Sequence, residues 1–207
     1  MKVDAIVFDF GGVLVDIDFR RAFAGWAAAS GTPVDTIAAR FAVDEACCAH
    51  ERGELDDRAY FAHLRRSLGL PRLSDEEMLA GWNAIIGEPI PGVEALVRQL
   101  ASRLPLYVFS NTNPAHVAHF TPRLRHLLEH FRAMYMSCEL GRRKPDVEAF
   151  ALLSELIDLP PARLAFFDDV EANVAGARRA GLQAHHVTRA DQIAAISEAL
   201  LHEGETR

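Results

Sequence analysis

The chain has 207 residues, half of them hydrophobic, enough for one domain with an insertion or two small ones around a sizeable core. Twenty-two basic against twenty-nine acidic residues give a net charge of −7, which argues against a broad nucleic-acid surface but not against an anionic small substrate in a local cleft. Three cysteines (Cys47, Cys48, Cys138), two of them adjacent, make a poor disulfide framework. With no signal-peptide pattern and no membrane-length apolar run, a cytoplasmic protein in a reducing compartment is expected.

In chain order, the first apolar run covers residues 5–10 and meets a glycine turn at Gly11-Gly12. It reads as a buried strand that delivers Asp9 near its C-terminal end. Residues 16–88 hold no convincing strand. Phe19, Phe23, Trp26 and Ala27 follow a helical period, as do Tyr60, Phe61, Leu64 and Leu68, and Ser74 to Glu77 resembles a helix start. Further strands are expected over 106–110, 133–137, 164–168 and 183–187, with helical patterns between the later ones; Gly181 is a candidate helix terminator. The tail after Leu201 is polar and is expected to fray. Strands alternating with helices predict a doubly wound α/β parallel sheet. Its segments are 1–15 and 89–207, and 16–88 forms an inserted helical module.

The chemistry concentrates at the ends of the predicted strands. Asp9 follows the first run, Ser110-Asn111-Thr112-Asn113 the second, and Asp168-Asp169 the fourth; Lys144-Pro145 opens a helix after the third. Each has a plain structural reading alone: a capping Asp, a polar loop, a solvated lysine, a capping pair. Together, parallel strands bring them to one sheet edge, where open α/β sheets bind ligands. Three carboxylates there repel one another unless a hard cation with oxygen ligands intervenes, and Mg²⁺ suits such a site.

This ordered set resembles the haloacid dehalogenase-like hydrolase superfamily, in its magnesium phosphatase division. The matching motifs are Asp9-Phe10-Gly11-Gly12-Val13, Ser110-Asn111, Lys144-Pro145-Asp146, and Phe166-Phe167-Asp168-Asp169 with Asn173 and Gly176-Ala177. Shorter motifs are similar to bacterial α-D-glucose-1-phosphate phosphatases: Val15-Asp16-Ile17-Asp18-Phe19, His50-Glu51-Arg52-Gly53-Glu54, Gly81-Trp82 and Ser110-Asn111-Thr112-Asn113. The resemblance implies an Asp9 nucleophile forming an aspartyl-phosphate. It implies Mg²⁺ on Asp9, the Gly11 carbonyl and Asp169, with Asp168 near or bound. Ser110 and the Asn111 N–H hold phosphoryl oxygens, Lys144 neutralises charge, and the helical module caps the cleft. The implied substrate is a small phosphorylated metabolite, with a sugar phosphate foremost.

One departure matters. Gly11 stands where the family's phosphatases usually carry an acid/base Asp, whose assistance is worth roughly 10²–10⁴-fold. It suggests a leaving group that needs little protonation, or a substitute acid among Asp16, Asp18 and Glu51, which are read first as caps or ion-pair partners. It also keeps open a non-catalytic phosphate-binding protein. A 2-haloacid dehalogenase shares the fold and nucleophile without the metal, and the acidic pair weighs against it. The kinase-like Asp9-Phe10-Gly11 triplet lacks its companion motifs. A receiver domain has its acidic pair early rather than last. His116 and His119 read as surface residues of a helix; Trp26 and Trp82 read as packing between helices. His50, Arg52 and Trp82 are the candidates for the cap side of the pocket.

Overall fold

The computed structural model describes residues 2–205, with side chains through 201. In chain order its elements begin with β1 (Ala5–Phe8) and β2 (Val15–Ile17). Five helices follow: α1 (Phe19–Ser30), α2 (Val34–Arg40), α3 (Glu45–Glu51), α4 (Asp57–Leu68) and α5 (Asp75–Asn83). Next come β3 (Ile86–Pro89), α6 (Val93–Ala101), β4 (Leu106–Ser110), α7 (Pro114–Arg123), α8 (Arg125–Leu128), β5 (Ala133–Met136) and α9 (Ser137–Leu140). The chain closes through α10 (Val147–Ile157), β6 (Leu164–Asp168), α11 (Glu171–Arg179), β7 (Gln183–His186) and α12 (Ala190–Glu205).

The five expected strands form one parallel sheet in the order β5-β4-β1-β6-β7. Parallel strands buried on both faces need apolar side chains at every position, and β1, β4 and β6 are buried throughout. Alternation divides them. Ile6, Phe8, Val108 and Phe167 pack under α6, α7 and α12; Val7, Phe109 and Phe166 pack under α10 and α11. The strand order reverses beside β1, so its C-terminal end opens onto the crevice where such sheets bind ligands.

Between β2 and β3 the five helices enclose a separate apolar cluster, including Phe23, Trp26, Tyr60, Leu64 and Trp82. Ser74 and Glu77 form the capping box that starts α5. Expecting no strand over 16–88 proves incorrect at both ends. β2 and β3 pair antiparallel, through which the chain leaves and re-enters the sheet unit. Each is only three or four residues long, too short to show a period. α12 runs through the start of the polar tail to Glu205, and residues 206–207 lie outside the described residues. Gly181 follows α11 with φ 93° and donates its N–H to Arg178 O, as a terminating glycine does. Among the described residues no helix is long and apolar enough to cross a membrane, and the three cysteines are free thiols.

Candidate active site

Asp9 lies one residue beyond β1, its N–H donating to Phe167 O of the neighbouring strand at 2.8 Å. Gly12, at φ 77°, makes the turn that follows. A Cβ there would sit 2.2 Å from Asp169 Oδ2, so only glycine lets the two acidic loops approach. Gly11 is different. Its φ is not left-handed, but a Cβ would lie 2.7 Å from Ile17 Cγ1, so Ile17 occupies the space a side chain would enter.

Lys144 is 1% exposed, and its Nζ lies 2.7 Å from both Asp9 Oδ1 and Asp168 Oδ2. Its ammonium also stands 5.5 and 5.3 Å from the ring centres of Phe109 and Phe166. A buried amine survives here because two carboxylates compensate its lost hydration; their charges hold its pKa above the ordinary value despite burial. Burial pushes the Asp9 carboxyl up, Lys144 pulls it back, and Asp168 adds to the rise. Asp169 is raised by burial first and by the charge of Asp168 second.

Asp168 is fully committed. It accepts from Lys144, from the Val170 N–H at 2.8 Å, and from Asn173 Nδ2 at 3.1 Å on both oxygens. Asn111 has a positioning contact that was not apparent from the sequence. Its amide donates to Lys144 O and accepts from Lys144 N, both at 2.9 Å, clasping the backbone of the lysine. Ser110, at the end of β4, is buried beside it. Oxygens of Asp9, Asp168 and Asp169 all lie within 4.8 Å of one another, a hard-oxygen donor set that fits Mg²⁺ better than a softer metal.

Asp9, Ser110, Asn111, Lys144 and Asp169 line one end of a cleft of about 640 Å³ whose other wall comes from the helical insertion; Asp168 is fully buried and outside its lining. Trp82 reaches that wall; His50 and Arg52 do not line it. His50 is fully buried, bonded to Asp57 and stacked on Tyr60, and Arg52 is held by Glu45 and Glu54. The sequence reading missed Arg143, which meets Glu51 across the cleft, Nη2 to Oε2 at 2.6 Å. Glu51 is thus an ion-pair partner, though to the sheet unit rather than within the helical module. Asp16 pairs with Arg21, and Asp18 caps α1.

His116 is a correction: it is buried rather than on the surface. Its Nε2 donates to Trp82 O at 3.0 Å, and its Nδ1 accepts from Asn113 Nδ2 at 3.1 Å. Asn113 Oδ1 in turn accepts the Trp82 indole N–H at 3.3 Å. The imidazole therefore links α7 to α5, and burial lowers its pKa from 6.5 to about 4. Trp26 has the packing role expected, stacking on Trp82 at 6.4 Å and donating its indole N–H to Met78 O.

The family model for haloacid dehalogenase-like hydrolases matches residues 3–181. The chain belongs to that family. It is 28% identical over 174 residues to a D-ribitol-5-phosphate phosphatase of Bacteroides thetaiotaomicron, covering 82% of this chain and 84% of that one. It is 26% identical over 200 residues to Phosphatase MT3486 of Mycobacterium tuberculosis, covering 93% and 90%. Its fold matches a B. thetaiotaomicron enzyme of the family, solved with magnesium and inorganic phosphate, at a TM-score of 0.77. That match covers 89% of this chain and 93% of the other at 23% identity. Both curated relatives are thus phosphatases within this hydrolase family.

Proposed function

We propose that this chain is a Mg²⁺-dependent phosphomonoester hydrolase acting on a small phosphorylated metabolite. The observation that carries the reading is the buried Asp9–Lys144–Asp168 chain with Asp169 alongside. Asp9, the Gly11 carbonyl and Asp169 are the residues to hold Mg²⁺. Asp168 stands behind them, because its oxygens are already engaged by Lys144, Val170 and Asn173. When bound, Mg²⁺ supplies charge neutralisation at the phosphate and at Asp9.

The Asp9 carboxylate attacks phosphorus, and the ester oxygen leaves with its electron pair. Lys144 stabilises charge on the nucleophile and the transferring group; the Ser110 hydroxyl and the Asn111 N–H hold phosphoryl oxygens. Water then attacks phosphorus and frees Asp9. The helical insertion serves as a cap that limits water access and contacts the leaving group.

Gly11 supplies no acid, so the substrate is one whose leaving group departs with little protonation. An anomeric sugar hydroxyl meets that condition, which fits a sugar 1-phosphate such as glucose 1-phosphate; a phenolic hydroxyl meets it too. A second reading, phosphate binding without turnover, is favoured by the hydrocarbon of Ile17 where an acid would project. Phosphate release from a panel of phosphomonoesters, with Mg²⁺ or EDTA, tests both. Turnover requiring metal and lost in Asp9→Asn supports the hydrolase. Inorganic phosphate bound with no turnover across the panel supports the binding protein. EDTA-indifferent halide release from a haloacid supports a dehalogenase instead.

A further inference from the structure

We infer, on the phosphatase reading above, that the alcohol released is a phenol-type hydroxyl on a compact apolar ring, making the substrate an aryl phosphomonoester. Among the described residues five large hydrophobics are exposed, and three of them, Phe19 (36%), Val43 (60%) and Val170 (46%), line this one cleft. Apolar side chains left wet at the mouth of a single cleft mark it for an apolar ligand. Deeper in, the cap-side wall continues with Ile17, Trp82, Ile85 and Ile86.

That wall offers few polar groups: the Trp82 indole donates to Asn113, and Glu51 is paired through Oε2 with Arg143. Facing it, both nitrogens of His116 on α7 have protein partners. A polyol entering there would exchange its water hydrogen bonds for contacts with hydrocarbon, whereas an aromatic ring has no such bonds to lose. Phe19 offers aromatic surface to the cleft, its ring packed edge to face on the buried Trp82 with ring centres 6.3 Å apart.

The missing acid points the same way. Ile17 fills the space beside Gly11, and the remaining cap-side carboxylate of the cleft, Glu51, is held by Arg143. The leaving oxygen therefore departs as an anion. A phenol ionises at about 10, whereas a simple alcohol ionises far higher, near water. In the first step the Asp9–phosphorus bond forms, the bond from phosphorus to the aryl oxygen breaks, and an aryloxide leaves. In the second, water attacks phosphorus and the Asp9–phosphorus bond breaks. Phosphate leaves, and the proton released by water ends on the aryloxide.

The test is kcat/KM, with Mg²⁺, for 2-naphthyl phosphate, O-phosphotyrosine, glucose 1-phosphate and ribitol 5-phosphate. O-phosphotyrosine matches the phenolic leaving group but carries a charged tail, which separates ring recognition from intrinsic reactivity. The expected order places naphthyl phosphate about tenfold above O-phosphotyrosine and about tenfold above glucose 1-phosphate, and at least about 10²-fold above ribitol 5-phosphate, whose simple alcohol lacks an acid. Phe19→Ser, or Val43→Ser at the more exposed position, raises the KM for naphthyl phosphate about tenfold. A sugar phosphate equalling naphthyl phosphate overturns the inference while leaving the phosphatase reading intact. So does equal use of the two aryl esters with no effect of either serine variant. No turnover of any ester, or turnover that survives Asp9→Asn, overturns the phosphatase reading and this inference with it.

Discussion

The two walls of the cleft are built on opposite rules. On the sheet side, Asp9, Lys144 and Asp168 are buried charges with compensating partners, carried at strand ends and on loops whose backbones are fixed by hydrogen bonds. On the cap side, Ile17, Phe19 and Val43 offer hydrocarbon and aromatic surface, and the charged Glu51 there is paired with Arg143 of the sheet unit. Buried charge needs a fixed geometry, because each unmatched partner costs several kcal/mol. Apolar surface tolerates substitution of similar volume. The sheet side can therefore serve one chemistry while the cap side adapts to a substrate.

The largest break in this contrast comes from Lys144. Lys144→Ala leaves Asp9 and Asp168 facing each other without their shared cation. A loss of about 3–5 kcal/mol in denaturant stability is expected, together with loss of turnover. An exposed lysine such as Lys2 removed as a control shifts stability by less than about 0.5 kcal/mol.

The seam between the walls gives the next effect. Burial lowers the folded-state pKa of His116 from 6.5 to about 4, so the unfolded chain binds its proton first as the pH falls. The stability it contributes is present above 6.5 and is lost as pH drops toward about 4. The full window is worth at most about 3 kcal/mol. The thermal midpoint of the wild type is expected to fall through this range, and that of His116→Gln to fall less.

The smallest effect sharpens the division of labour at Gly11. Gly11→Asp combined with Ile17→Ala supplies an acid and clears the space that Ile17 fills. Turnover of an alkyl phosphate is expected to rise relative to an aryl phosphate by about 10–10²-fold. An unchanged ratio would mean that leaving-group protonation does not limit this enzyme.

The same contrast explains what could be read in the sequence. Asp9, Ser110 and Asp168 announce themselves because each terminates a short, wholly buried apolar run, and the parallel sheet places run ends together. The cap-side wall has no comparable signal. Glu51 and Arg143 meet although 92 positions separate them. His116 sits in a helix that mixes polar and apolar residues, and its burial involves contact with Trp82 from a distant helix. The Asn111 clasp on Lys144 joins two loops 33 positions apart, so neither loop's sequence signals it. β2 and β3 were missed because a ribbon of three or four residues has no period to read.

The central claim is that phosphorus passes through Asp9. Mixing the enzyme with 2-naphthyl phosphate and Mg²⁺, quenching in acid within a turnover, and mapping peptides by mass spectrometry tests it directly. A phosphoryl adduct on the peptide carrying Asp9, absent with EDTA and in Asp9→Asn, is the predicted result. Phosphate release with no adduct there, or an adduct on another residue, would contradict the account.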